Sequence, residues 1–534
     1  YDSDIFVRDS LVNMYGKCGS NLDAHYVFSQ CRAHTSVSWN ALISGHVQDG
    51  DAEKALQAYR LMQEYDVNPN EQTFVTALQA CSLLADEEEA VIIEGKPKKV
   101  MSEEICRALH ADARRRGFDS NAFIGSSLVN LYGKCMNIGY AHHAFDQVSH
   151  HDVVSWTAVV MCYLNVGDGT KSLQLYKLMQ EEGVRPNAQT LVAGIQACSK
   201  VAETEEYVIL KAQPIKPISN DLGQALHLDV RRKCFESNAF VCSALVDMYG
   251  KCGNIGEAEK AFNQIDSPDI VLWNTMLSTY EEQGNAEKAL QMYSIMLDKD
   301  VVVDCTSLTC VLNAYRRFGN LEGCRETHFS ILSMGYDHDL TLMTTLIYTY
   351  GDCSSMRDAY EVFMRLLNAD VSSWNALLSG YAKEGNYSEC LRNFEKMVVG
   401  SGIKPNKTTF TALLSVCSHV GLVEESMKFL ESMSRDYSLV PDIEHYTCVV
   451  DVLGRAGDFM KVEDLLSRMS MQPDVTMTLR LLSACQKHGN VGLGELLFYH
   501  AVMLQPWQDA PYVIMSNIYA NAGLHDFAHQ MKRH

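Results

Sequence analysis

The sequence predicts an all-α solenoid of helix–turn–helix repeats, and three observations predict it. Trp39, Trp156 and Trp273 stand 117 residues apart (156 − 39 and 273 − 156). Tyr15-Gly16-Lys17-Cys18, Tyr132-Gly133-Lys134-Cys135 and Tyr249-Gly250-Lys251-Cys252 keep that spacing, and Tyr350-Gly351-Asp352-Cys353 follows after 101 (353 − 252). Regularly placed breakers then cut this long period into pieces of the size usual for solenoid units, about 20 to 50 residues.

The segment 153–187 shows how a unit is built. Val153, Val154, Trp156, Val159 and Val160 give one short helical stripe, Gly167-Asp168-Gly169 interrupts it, and Leu173, Leu175, Tyr176, Leu178 and Met179 give a second. Gly183 and Pro186-Asn187 end the second helix, because proline removes a backbone donor and restricts the residue before it. Comparable stops fall at Pro69-Asn70, Pro405-Asn406, Pro441-Asp442 and Pro473-Asp474. Three unit types rotate: one of 35 residues that carries the Trp, one opening with Thr-Phe or a variant, and one of 31 opening with Phe-x-x-x-x-Leu-Val. The first two triplets exceed the third by 16 residues (117 − 101), and the excess falls near 86–104 and 203–221. Both inserts are charged and contain proline, and they read as unlike each other. A loop extruded between two helices tolerates such length at small entropic cost. A partner-binding role is the alternative.

A chain of 534 residues would ordinarily hold three or four domains, but a repeat array is quasi-one-dimensional and predicts one elongated superhelix. Residues 1–4 read as the end of a preceding repeat, so the chain reads as a fragment, and no targeting segment is visible. No stretch approaches the roughly 20 apolar residues of a membrane span. The 18 cysteines fall into repeat-equivalent sets, Cys18, Cys135, Cys252 and Cys353 in one and Cys81, Cys198, Cys417 and Cys485 in another, and read as small buried thiols. Cys-x-x-Cys, the phosphate loop, His-Glu-x-x-His and Gly-x-Ser-x-Gly are all missing from the sequence, so neither a metal site, a cofactor site nor an intrinsic active site is implied. The 18 histidines read as scattered surface or turn residues.

Ser36-Val-Ser-Trp-Asn-Ala-Leu-Ile-Ser-Gly, Val153-Val-Ser-Trp-Thr-Ala, Ser243-Ala-Leu-Val-Asp-Met-Tyr-Gly-Lys-Cys-Gly and Ile443-Glu-His-Tyr-Thr-Cys-Val-Val-Asp-Val-Leu-Gly-Arg-Ala-Gly resemble the plant pentatricopeptide-repeat proteins of the PLS subclass. Essentially the whole chain is covered by the likeness. It implies a right-handed superhelix, with the tandem array over 5–474. The stretch 475–534 resembles the family's E-type extension, apparently truncated, with Thr478 where the first E motif usually has tryptophan. The function implied is sequence-specific recognition of single-stranded organellar RNA, in a mitochondrion or chloroplast. The E-type ending implies a site-recognition factor for cytidine-to-uridine editing, with a deaminase-bearing protein and other editing factors as further partners. An RNA stability or splicing factor, and a protein-interaction scaffold of helical repeats, are the alternatives.

The resemblance also implies the base-reading residues, one directly after the Trp or its equivalent and one at the end of the motif. The pairs are Asn40 with Asn70, Ser126 with Asp152, Thr157 with Asn187, Ser243 with Asp269, Asn274 with Asp304, Thr344 with Asp370, Asn375 with Asn406, and Thr447 with Asp474. By the family's pairing rules the bound strand reads, 5′ to 3′, pyrimidine, any, G, A, any, G, U, any, G, pyrimidine, any, G. All sixteen side chains are short and polar. The last residue of each motif could equally serve as a cap of the next helix.

A net charge of −21 is awkward for a protein that binds phosphates. Lys17, Lys134, Lys200, Lys251, Arg317, Lys383 and Arg455 recur at one motif position, predicted near the end of a first helix, and offer a phosphate-contacting stripe if the acidic residues stay on second helices and inserts. A basic residue there also suits the negative end of a helix dipole. Asp352 and Glu282 occupy the same position and weaken the stripe.

Overall fold

The structure, a computed structural model, describes residues 5–30, 34–93, 96–118, 120–210, 213–469 and 471–531. Among the described residues there are 30 α-helices, one π-helical turn and two short antiparallel hairpins. The chain forms two compact units, Tyr1–Gln283 and Gly284–His534.

Within each unit the first helix of every hairpin packs beside the first helix of the next, and the second helices back them. In the first unit the packed series is Ile5–Lys17, Ser36–Gln48, Glu71–Glu87, Ala122–Lys134, Val153–Asn165, Ala188–Thr204, Ala239–Lys251 and Ile270–Glu282. In the second it is Cys305–Phe318, Leu340–Asp352, Val371–Lys383, Lys407–Val420, Ile443–Ala456, Val475–His488 and Asp509–Asn521. The last two belong to helical hairpins that extend the same layering through 475–531, and Thr478 is fully buried at the position noted in the sequence.

The repeated residues supply the core. Trp39, Trp156, Trp273 and Trp374 are buried, and each meets a phenylalanine of the preceding second helix edge-on: Phe28 at 4.7 Å, Phe145 at 4.9 Å, Phe262 at 4.9 Å and Phe363 at 4.5 Å between ring centroids. Such pairs contribute about 0.5–1.5 kcal/mol beyond the area they bury. Close approach of neighbouring first helices depends on the glycine of Tyr-Gly-Lys-Cys. A Cβ at Gly133 would lie 3.1 Å from Cys162 Cβ, and one at Gly250 would lie 2.8 Å from Thr279 Cγ2.

The inserts do lie between two helices, but instead of two unlike loops they are alike and regularly paired. Glu71–Glu87 and Ala188–Thr204 each run 17 residues, and Val100–Arg115 and Pro217–Arg232 follow, so only 88–99 and 205–216 lie outside helices. Val91–Ile93 pairs with Lys96–Lys98, and Val208–Leu210 with Gln213–Ile215, in the same antiparallel register. Two β-branched runs followed by a turn carried the signal, which the differing charges concealed. Each hairpin is clamped alike. Glu88 accepts from the backbone N–H of Met101 (2.8 Å) and Ser102 (2.9 Å), Glu205 accepts from those of Ile218 and Ser219 (both 2.8 Å), and the ammonium groups of Lys99 and Lys216 donate to the carbonyls of Ala85 and Ala202.

Candidate nucleic-acid interface

All eight motif-final residues stand at the amino terminus of the next first helix. Asn70, Asp152, Asn187, Asp269, Asp304, Asp370, Asn406 and Asp474 accept the backbone N–H of Thr73, Ser155, Thr190, Leu272, Ser307, Ser373, Thr409 and Met477, at 2.8–3.1 Å. Extended backbone before the helix aims these side chains at its orphan donors. The capping alternative therefore holds for every one of them. Among the described residues the second carboxylate oxygen of Asp152, Asp269, Asp370 and Asp474 accepts no hydrogen bond, and these four residues are exposed.

The first members of the pairs sit on the first helices, two of them joined directly to their partners. Asn40 Nδ2 donates to Asn70 Oδ1 and Asn375 Nδ2 to Asn406 Oδ1, both at 3.0 Å. Thr73 Oγ1 donates to Asn40 Oδ1 at 2.6 Å, and Thr409 Oγ1 to Asn375 Oδ1 at 2.7 Å. Two further pairs are linked through a hydroxyl: Thr157 meets Thr190 at 2.6 Å, which donates to Asn187 at 2.9 Å, and Thr344 meets Ser373 at 3.0 Å, which donates to Asp370 at 2.8 Å. Ser126 and Thr447 instead donate to their own helix, at Phe123 O (3.1 Å) and Ile443 O (2.7 Å), and Ser243 is half-buried on its first helix. Asn274 lies in the first unit and Asp304 in the second.

One set of residues at this surface escaped sequence reasoning. Val37, Phe123, Val154, Phe240 and Val271 each lie three residues before the first member of a pair, hence one turn away on the same helix face, and all are exposed; Phe240 is 79% accessible. Their own recurrence at 117 residues (154 − 37, 240 − 123 and 271 − 154) was the available signal. Burial would have been the default for apolar residues at helical spacing.

The basic positions are less free than the sequence implied. Lys134 pairs with Asp86 at 2.6 Å, Lys200 with Glu203 at 2.9 Å, Lys251 with Asp247 at 3.3 Å and Glu203 at 3.4 Å, and Arg455 with Asp451 at 2.8 Å; Lys383 pairs with Asp352. Acidic residues are thus not confined to second helices and inserts, because Asp247, Asp352 and Asp451 stand on first helices one turn or one repeat from the cation they meet. Lys200 does not end its helix, which runs on to Thr204. Lys17 and Arg317 have no carboxylate partner among the described residues. Burial would lower the Lys251 ammonium, but Asp247 and Glu203 outweigh it and raise it above the ordinary lysine value. At the same motif position burial, with Asp247, pushes the Glu282 carboxyl up.

The histidines also need correcting. His110, His227 and His328 are not scattered surface residues: their Nδ1 atoms meet the hydroxyls of Tyr132, Tyr249 and Tyr350 at 3.0, 3.0 and 2.9 Å. They repeat at the triplet spacings (227 − 110 and 328 − 227), and each satisfies the buried phenol of a Tyr-Gly motif. Burial lowers the pKa of His227 and His328. The 17 described cysteines are free thiols. Burial pushes Cys81 and Cys417 up to about 12 and Cys485 to about 11, which suppresses thiolate chemistry.

Helical hairpins packed first helix against first helix, with short polar residues recurring in register along them, define an α-solenoid repeat protein. The chain belongs to the pentatricopeptide repeat family: the model of the PPR repeat family matches residues 34–82, 151–200, 268–317 and 369–419, and that of the PPR repeat matches 240–267, 408–437 and 444–472. A mitochondrial pentatricopeptide repeat-containing protein of Arabidopsis thaliana is 30% identical, over 97% of this chain and 71% of its own length. A chloroplastic one from the same plant is 29% identical, over 100% of this chain and 62% of its own length. The crystal structure of the pentatricopeptide repeat protein PPR10 in complex with an 18-nt psaJ RNA element shares the fold, with a TM-score of 0.60 at 20% identity over 99% of this chain and 83% of that one.

Proposed function

We propose that the chain binds single-stranded RNA sequence-specifically as a PLS-type array with an E-type ending, and that it selects sites for cytidine-to-uridine editing in a plant organelle. The observation that carries the reading is the set of eight polar pairs in register. Each pair offers one buried or half-buried and one more accessible hydrogen-bonding group at a fixed place in its repeat, which is the chemistry of one-base-per-repeat readout. The exposed Val37, Phe123, Val154, Phe240 and Val271 add apolar faces for bases to rest on. Lys17, Lys134, Lys251, Arg317, Lys383 and Arg455 at the carboxy-terminal ends of first helices, with Lys200 nearby, contact the phosphates. Names of relatives that include mitochondrial and chloroplastic favour an organelle.

Recruitment of a deaminase-bearing protein through 475–534 is supported by an exposed apolar stripe. Leu496, Tyr499, Met503 and Trp507 are all solvent-facing along and just after the second helix Val491–Leu504. In this reading deamination is carried out by a deaminase domain that follows His534 or by a recruited partner, and the repeats choose the site.

The test is equilibrium binding to a panel of single-base RNA variants of the strand given above. Asn274→Thr shifts the preference at the seventh position from U toward G and leaves the others alone. An unchanged preference there, or a wild-type protein indifferent at every position, would return the chain to the scaffold reading.

A further inference from the structure

Asp86 and Glu203 occupy equivalent places (203 − 86 = 117) in the last turn of the two longest first helices, Glu71–Glu87 and Ala188–Thr204. That turn is absent from the corresponding helix of the second unit, which ends at Phe318 with Gly319 in the left-handed region. The added turn and the hairpin behind it are one device. Lys99 and Lys216 hold the carbonyls of Ala85 and Ala202, the residues immediately before the two acids, while Glu88 and Glu205 tie the far side to the next helix. Each carboxylate is thereby presented to a cation at the end of the following first helix: Asp86 to Lys134 at 2.6 Å, Glu203 to Lys251 at 3.4 Å. Glu203 also holds Lys200 at 2.9 Å. Lysine 134 lies two turns beyond Ser126, and Lys251 two turns beyond Ser243, on the helices that carry those base-reading residues.

We propose that Asp86 and Glu203 are built-in competitors for the RNA phosphates: they hold Lys134 and Lys251 until a bound strand displaces them, so that phosphate attraction alone retains a strand only weakly. The inference rests on the RNA-binding reading above. The physical logic is subtraction. Phosphate contacts strengthen binding to every sequence alike, whereas base contacts discriminate. A carboxylate that must be displaced subtracts from the indiscriminate part and leaves the discriminating part intact. Right and wrong strands weaken by the same factor and their ratio is unchanged, but strands held by phosphates alone bind too weakly to occupy the surface. Competition is feasible because the pairs are solvent-accessible, Asp86 by 54% and Lys134 by 28% of their side chains, and such ion pairs are individually weak. The matching turn of the second unit carries no such acid; there Asp352 on the first helix itself meets Arg316 and Lys383.

The experiment compares the full chain with Asp86→Asn/Glu203→Gln and with a control of equal charge change, Glu89→Gln/Glu206→Gln, whose carboxylates are exposed and lie outside these pairs. Binding to labelled oligouridylate, oligoadenylate and the matched strand is measured across a salt series. The first variant is expected to bind all three more tightly at low salt, by about 2- to 30-fold, with a salt slope steeper by about 0.7 for each lysine released, and with the ratio of matched to unmatched affinity unchanged. The control changes affinity less and leaves the slope unchanged. Equal gains in both variants would show that only total charge matters and would overturn the inference, as would an unaltered slope in the first. Failure of the wild-type chain to bind any RNA is a different result, and it sinks the RNA reading itself.

Discussion

The two units use the same backbone slot for different chemistry. Three residues before the first members of its polar pairs the first unit presents Val37, Phe123, Val154, Phe240 and Val271, whereas the second presents Thr341, Ser372 and Glu444, and all eight are exposed. Only the first unit carries β-hairpins among the described residues. Exposure of that slot is therefore set by the helix geometry and does not depend on what fills it. The residue chosen decides whether a base would meet an apolar face or a polar one. In the proposed reading, two halves of one repeat array would read by the same kind of pairs and grip by different forces.

The largest effect should come from the hairpin that only the first unit could support. Gly253 adopts φ +81°, and a Cβ there would stand 2.2 Å from the Pro214 carbonyl oxygen, while Gly421 in the second unit adopts φ +82° with nothing within 4 Å. Gly421→Ala is expected to cost about 1–2 kcal/mol for the left-handed backbone alone, and Gly253→Ala about 3 kcal/mol, because the hairpin must also shift. Chemical denaturation, with hydrogen exchange at Lys216 N–H as a local reporter of its bond to Cys252 O (3.0 Å), measures both. Equal losses would mean that the hairpin yields freely and is not fixed to the following repeat.

A smaller effect tests the grip. Phe240→Ser should weaken binding to every strand by about 5- to 100-fold, the loss of one stacking contact, and Thr341→Phe in the second unit should strengthen it in the same sense. Fluorescence titration on matched and unmatched strands reads both. If Phe240→Ser alters base preference and leaves overall affinity alone, the apolar slot is part of the readout and the distinction between the units disappears.

The smallest effect is shared by both units and sets the limit of the contrast. Burial first, and nearby arginine second, lowers the pKa of His227 in the first unit and His328 in the second. The unfolded chain, with histidine near pKa 6.5, then binds protons that the folded chain refuses. The contribution of each histidine is fully present above about pH 6.5 and is lost as the pH falls through the lowered folded value. Thermal unfolding followed from pH 7.5 down to about 5 should show this loss, and His227→Gln and His328→Gln should each flatten it. A wild-type profile with no such fall would mean that the tyrosine contacts tolerate the charged ring.

Much of this was legible because the determinants are local and recur. The Trp, the Tyr-Gly pair and the Pro-Asn stops each act within one hairpin or on its nearest neighbour, so their spacing alone placed the helices. The eight pairs were legible only through the family likeness, since short polar residues carry no signal of their own. What stayed hidden depends on contacts between repeats. Lys134 and Asp86 lie 48 residues apart, and although Lys251 and Glu203 repeat them 117 residues on, recurrence alone does not say which residues meet. Strands of three residues are too short to alternate visibly, which is why both inserts were read as loops. The histidines were hidden for a different reason: they obey the triplet spacing, but histidine is as much at home on a surface as beside a buried phenol, so its recurrence does not say where it points.

The caps carry a consequence for how such a protein changes over generations. Asn and Asp are about equally good at the amino terminus of a helix, so exchanging one for the other at 70, 187, 269 or 474 leaves the fold nearly as stable as before. The same exchange turns an amide into a carboxylate at a place where, in the proposed reading, a base would sit. Mutation can therefore wander through different target sequences along a path that is flat in folding stability, and an array of this construction can acquire a new address without first becoming a worse structure.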